Sequence, residues 1–268
     1  MGERKPRYGA LIIGSLYWDQ SSSRKEWRKR LDFTKKEAVR VPITYGRKSR
    51  TRENTYTMVF DGRPQCLIDG MKAWAVPFRA PIEVFSDLLV EMNWMWKAET
   101  NRREEKGIVR KWGGIAAHFF GPGQRPWRMR TDWESHVAQV IAQMGGKTIW
   151  ECYVPGKRDP KGQPVVTKKG RLNVPIDTIE ESKNMEERWD GLIATVNQPT
   201  FVDGGYYPDA GTVAATAGAY GSKTWKKFYT YFENTKGAGI TTLSDYEIGL
   251  RLDYGPPNPD DPDDPDDE

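Results

Sequence analysis

Apolar positions along the chain fall in short blocks separated by charged or turn-forming residues. The first block, Ala10-Leu11-Ile12-Ile13, runs without interruption into Gly14-Ser15, which is the pattern of a buried strand closed by a turn. Glycine at that point lets the backbone bend and leaves amide N–H groups to face a ligand. Successive free amides form a concave anion-binding nest. An aromatic pair, Tyr17-Trp18, and a carboxylate, Asp19, come next. Ser21-Ser22-Ser23 caps a short helix carrying Trp27 and Leu31. Ala38 to Tyr45 alternates around Pro42 and reads as a strand near a sheet edge. Arg47 to Asn54 is a basic loop, Thr55 to Phe60 alternates as a strand, and a further strand centres on Ala73 to Val76.

Pro81 opens a helix, where a missing N–H costs nothing. Its apolar positions Ile82, Phe85, Leu89, Met92 and Trp96 share one stripe. Glu99, three residues on, falls at the edge of that stripe, whereas Glu83 and Glu91 fall on the other side. A carboxylate on an apolar face is costly unless paired; a helix that frays by Thr100 would instead release Glu99 to water. Thr131 and Glu134 match a capping box. Trp133, Val137, Val140, Ile141 and Met144 then form a stripe stopped by Gly145-Gly146. Lys147 to Val154 and Gly191 to Val196 read as strands. Ser222 caps a last helix with Trp225, Phe228, Tyr229 and Phe232 inward. Strands and helices mix irregularly, which predicts an α+β class, with a barrel-like sheet and helices packed outside.

Composition narrows the setting. Two cysteines, Cys66 and Cys152, form no Cys-x-x-Cys pair, so a reducing, cytoplasmic setting is expected. No apolar run approaches a membrane span, and the basic start, Met1 to Arg7, leads into too few apolar residues for a secretory signal. His118 and His136 are too few for a histidine-based zinc site. His118 reads as a structural strand residue and His136 as a surface one, so neither a metal nor a cofactor is expected. Asn258 to Glu268 carries seven acids and no base, leaving 41 Lys and Arg against 30 acids before it. That basic body suits a solvated surface, a small anionic substrate or nucleic acid. The Asp-Asp-Pro tail, residues 255–268, is expected to be disordered.

Several of these features occur in a family order. Ile13-Gly14-Ser15-Leu16-Tyr17-Trp18-Asp19 resembles the Tyr-Gly-Ser-Leu-Ile/Met-Trp motif of gamma-glutamylcyclotransferase-like proteins, including the ChaC branch. The Val-Pro-Ile segment before a Thr-rich strand (Val41 to Val59), a helix ending in Glu99, Trp112-Gly113 and Ile149-Trp150 follow in the same order. The resemblance spans about residues 8–154, with an echo at 222–252. It departs at Ile13, where the family has Tyr, and at Thr100, where Gly is usual.

The resemblance implies a small mixed barrel and the release of 5-oxoproline from a gamma-glutamyl amine or peptide. Glu99 would be the catalytic acid/base, raised towards neutrality by burial. Ile13, Gly14, Ser15, Leu16 and Tyr17 would bind substrate, with Arg47 or Arg50 neutralising its α-carboxylate. The expected organisation is a core at 1–154, a charged insertion or lid at 155–189, a completing strand and helix at 190–254, and the tail. Two other readings stay open: a non-catalytic small-molecule binder of the same fold, and a basic, tryptophan-rich nucleic-acid binder. Neither the oligomeric state nor the leaving amine is legible.

Overall fold

A computed structural model describes residues 4–63, 71–100, 109–110, 113–143, 164–179, 184–202, 206–218 and 222–253. Trp112, the strand expected at 147–154, both cysteines, much of 155–189 and the acidic tail lie outside the described residues. The described strands are β1 (Tyr8–Ile12), β2 (Glu37–Arg40), β3 (Ile43–Ser49), β4 (Thr55–Phe60), β5 (Ala73–Pro77), β6 (Val109–Arg110), β7 (Gly113–Phe119), β8 (Asp177–Thr178) and β9 (Gly191–Asn197). The helices are α1 (Ser22–Arg28), α2 (Phe85–Thr100), α3 (Gln124–Gln143), α4 (Met185–Arg188), α5 (Ala210–Gly218), α6 (Ser222–Gly237) and α7 (Asp245–Asp253).

The class is α+β with a mixed sheet ordered β6-β7-β9-β1-β5-β2-β8. β1 sits in the middle, parallel to β9 and antiparallel to β5. All five of its residues are buried, as expected of a strand that is apolar on both faces. Gly9 is required there, because a Cβ would come within 2.3 Å of the Val76 carbonyl oxygen.

Among the described residues, the strand pairing gives no closed barrel. β6 and β8 are the two ends of the main sheet, and β3 and β4 pair separately as a two-stranded sheet. The single strand expected over Ala38 to Tyr45 is two, belonging to different sheets, with the break at Pro42. Proline lacks the N–H that a continuous ladder needs. The basic loop is shorter than expected: Arg47 to Ser49 belong to β3, and a 3-10 turn covers Arg50–Arg52. Glu53 and Asn54 then close the hairpin at positive φ.

Helix α2 begins at Phe85, not Pro81. The Asp87 carboxylate accepts the N–H groups of Glu83 and Val84 and so holds the chain before the helix. Its buried face is Leu88, Glu91, Met92, Met95, Trp96 and Ala98. Glu91, expected on the outer side, is therefore inside. Helix α3 begins at Gln124, well before the expected capping box. Thr131 is interior to it and donates its hydroxyl to the Trp127 carbonyl at 3.0 Å. The stretch expected as an insertion is partly core: Val165, Val166, Leu172 and Val174 are buried, and β8 pairs with β2. The sequence pattern does not announce helices α5 and α7; α6 buries Phe228, Tyr231 and Phe232, whereas Trp225 and Tyr229, expected inward, are half-buried.

Among the described residues, no helix is long and apolar enough to cross a membrane.

Candidate functional site

The chain leaves β1 through Ile13 and coils once. The Tyr17 N–H donates to the Gly14 carbonyl at 3.0 Å and the Asp19 N–H to the Ser15 carbonyl at 2.9 Å. The first amides of such a turn have no partner within it. Among the described residues, the Ser15 and Leu16 N–H groups meet no acceptor. Both residues line a cavity, together with Ile13 and Gly14. Gly14 is not at positive φ; a Cβ there would make a tight contact, 3.2 Å from the Tyr231 hydroxyl.

Glu99, in the last turn of α2, lines the same cavity. Its side chain is 12% exposed. One oxygen lies 3.7 Å from Nη2 of Arg24 and the other 4.0 Å from Nη1 of Arg47. Both are ion-pair distances, longer than a hydrogen bond. An acid at the C-terminal end of a helix also opposes the macrodipole. Sequences break such local rules mainly where function requires it.

Arg24 ties the site together. Its Nη1 donates to the Ser15 hydroxyl at 2.9 Å and lies 2.8 Å from the Asp19 carboxylate, and its Nε donates to the Ala98 carbonyl at 3.2 Å. One guanidinium thus joins α1, the β1 turn and the end of α2. Arg47 reaches the cavity from β3 and donates to the Asn197 side-chain oxygen at 2.8 Å. Burial pulls the Asp19 carboxyl up, but the Ser21 N–H and the Arg24 and Arg52 cations outweigh it. It ends below its usual range and stays ionised.

Tyr231 of α6 closes the cavity opposite Gly14. Its hydroxyl accepts the Met58 N–H at 3.1 Å. Burial holds this phenol above its ordinary value, with Arg52 partly opposing, so it remains a proton donor at neutral pH. The Arg52 guanidinium lies 4.8 Å from the centre of the Tyr231 ring.

The structure brings Ile13, Gly14, Ser15, Leu16, Arg47 and Glu99 to one cavity. It does not bring Tyr17 or Arg50 there. The Tyr17 ring turns away to stack on Trp74 and edge against Phe33, and its hydroxyl accepts from Lys36. Arg52 takes the place expected for Arg50. Arg24, Arg52, Asn197 and Tyr231 were missed. Arg24 and Arg52 carried only the signal of a basic opening region, fifteen Lys and Arg against six acids in residues 1–60; Asn197 and Tyr231 carried none.

His118 is held as a structural residue, its Nδ1 3.1 Å from the Leu172 carbonyl oxygen and its ring against Phe120. Burial holds it below its ordinary value. His136 is half-buried against Phe85 and not at the open surface as expected. Among the described residues, no cluster of three His, Cys, Asp or Glu could hold a metal ion.

The cavity encloses about 50 Å³, room for a few water-sized groups at roughly 10–15 Å³ each. That is enough for a carboxylate and a reacting carbonyl. It presents orphan amides, guanidinium groups, a phenol and one carboxylate. These can bind a small carboxylate anion and move a proton beside it. The sequence matches no protein-family model, no curated protein and no solved structure.

Proposed function

We propose that the protein has the gamma-glutamylcyclotransferase type of fold and releases 5-oxoproline from a gamma-glutamyl amine or peptide at this cavity. The observation that carries the reading is the meeting of Glu99 with the turn after β1, which lie far apart in sequence and line one small polar space. The opening motif supplies the resemblance, and the geometry supplies groups suited to the chemistry.

The substrate's α-carboxylate sits against the Ser15 and Leu16 amides, with Arg47 neutralising it. Its α-nitrogen attacks its own side-chain carbonyl. The new nitrogen–carbon bond closes the lactam, and the carbon–nitrogen bond to the leaving group breaks. The α-ammonium loses two protons on the way to the lactam N–H, and both end on the leaving nitrogen, which departs as an ammonium. Glu99 takes a proton from the α-nitrogen and returns it to the leaving nitrogen. The Tyr231 hydroxyl is a further donor near the oxyanion that forms between these steps. Ring closure is intramolecular, so holding the substrate folded contributes several kcal/mol through effective molarity. Glu99 is asked for the proton transfer, a factor of about 10²–10⁴.

The test is to incubate the protein with gamma-glutamyl dipeptides, gamma-glutamylamines and glutathione and to measure 5-oxoproline. Release from at least one compound is expected. Binding of a gamma-glutamyl compound without release would leave a non-catalytic binder of the same fold. Neither binding nor release across the panel would remove the reading.

A further inference from the structure

The inner cavity is too small for a whole gamma-glutamyl compound, and a second cavity adjoins it. This outer space of about 460 Å³ shares two lining residues with the inner one, Arg52 and Tyr231. That volume is in the range of small-molecule sites. Its other walls are Trp18 and Asp19 from the β1 turn and Lys223, Lys226 and Lys227 from α6.

The charges are unequal. Four cations line the outer cavity, Arg52 and the three lysines. The acids that face them are Asp19, 4.0 Å from Arg52, and Glu53, which pairs with Lys227 and lies 3.8 Å from Lys223. The lysines also stand where a helix least favours them. They occupy the opening turns of α6, whose first turn holds no acid. The positive end of the macrodipole repels cations there. Spacings of three and four residues put Lys223, Lys226 and Lys227 on one side of the helix, facing the cavity. Such a concentration of positive charge makes sense if an anion is brought to it.

We infer that the outer cavity holds the half of the substrate that leaves, and that it selects an acidic amino acid or acidic peptide attached to the gamma-carbonyl. This rests on the gamma-glutamyl reading of the inner cavity. With the reacting carbonyl between Glu99 and Tyr231, the leaving nitrogen points past Arg52 into the outer space. The apolar part of the leaving half lies along Trp18 and Tyr231, and its carboxylates meet Arg52, Lys223 and Lys226. Lysine on the leaving half would be repelled by the same groups.

The experiment compares kcat/KM for 5-oxoproline release from gamma-glutamyl-glutamate, gamma-glutamyl-lysine and gamma-glutamylmethylamide at low salt. Wild type and the double variant Lys223→Gln/Lys226→Gln are used. Lys223 and Lys226 are exposed, so the variant is expected to fold, with its thermal midpoint as the check. In wild type the acidic dipeptide should exceed the lysine dipeptide about tenfold, the size of two exposed ion pairs gained and their repulsion avoided. That ratio should fall towards one in the double variant, and in wild type at high salt, where exposed charges are screened. Turnover of the methylamide with no charge preference would overturn this inference alone. A preference untouched by the double variant would overturn it as well. Release from glutathione or another compound of the wider panel but from none of these three would also overturn this inference alone; neither binding nor release across the whole panel would defeat the gamma-glutamyl reading and this inference with it.

Discussion

Helix α2 carries two enclosed glutamates two turns apart, Glu91 and Glu99, and holds them in opposite ways. Glu91 is 1% exposed and accepts from Arg30 through both oxygens, at 2.9 and 2.7 Å. The Arg30 guanidinium in turn lies over the Trp94 ring. Every charge in that pair has a partner in good geometry, which is what makes burial of a carboxylate tolerable. Glu99 has two guanidinium groups near it, and neither comes within hydrogen-bonding distance. It faces a cavity where Glu91 faces packed side chains. The same residue type on one helix thus serves structure where its bonds are complete. Where Glu99 stands, both oxygens lack a side-chain hydrogen bond among the described residues and the carboxylate lines a cavity.

The largest expected effect is on the closed pair. Arg30→Met leaves the Glu91 carboxylate buried without a partner and should cost about 3–5 kcal/mol of folding stability, read by urea denaturation. A loss under 1 kcal/mol would mean that Glu91 is no more committed to structure than Glu99. Next is Arg47→Met, which removes one of the cations beside Glu99 and the proposed partner of the substrate carboxylate. KM for a gamma-glutamyl substrate should rise by about 10- to 100-fold, the value of a charged hydrogen bond, while stability changes little. An unchanged KM would take Arg47 out of substrate binding.

Tyr231→Phe tests a residue that lines both cavities. It deprives the buried Met58 N–H of its acceptor, so about 1–3 kcal/mol of stability should be lost, and kcat should fall if the hydroxyl donates to the reacting oxygen. Loss of stability with full kcat would make Tyr231 structural only. The smallest effect is at His118, away from both glutamates. Burial holds its folded value below the ordinary 6.5. The unfolded chain therefore binds that proton first, and the contribution to stability is present above 6.5 and lost as pH falls through it. His118→Asn should flatten the fall in thermal midpoint between about pH 7 and pH 5. An identical pH profile in the variant would show that His118 is not the group responsible.

What the sequence made legible was local. A continuous apolar run closed by Gly14-Ser15 marked the strand and its turn, and helical spacing set Glu99 at the edge of a buried face. The rest depended on partners distant in the chain. Arg24 joins the site because α1 folds back against the turn and the end of α2, and no periodicity in α1 announces that. Arg52 rather than Arg50 lines the cavity because the two sit in a 3-10 turn. At three residues per turn, positions two apart point in different directions. The apolar stripe alone predicts Glu91 on the outer face. An acid can join a buried face when a long-range arginine meets it, and Arg30 does so from 61 residues away. Tyr17 sat in the opening motif, but its ring found Trp74 and Phe33. Strand order was also beyond local reading, since it is set by which edges meet across the whole chain.

The most direct test of the central claim is the rate of 5-oxoproline release by wild type and Glu99→Gln, compared with Glu91→Gln at equal folded fraction. The expected result is a loss of about 10²–10⁴-fold for Glu99→Gln with its thermal midpoint unchanged, and a near-normal rate for folded Glu91→Gln. A Glu99→Gln protein that works as fast as wild type would contradict the account.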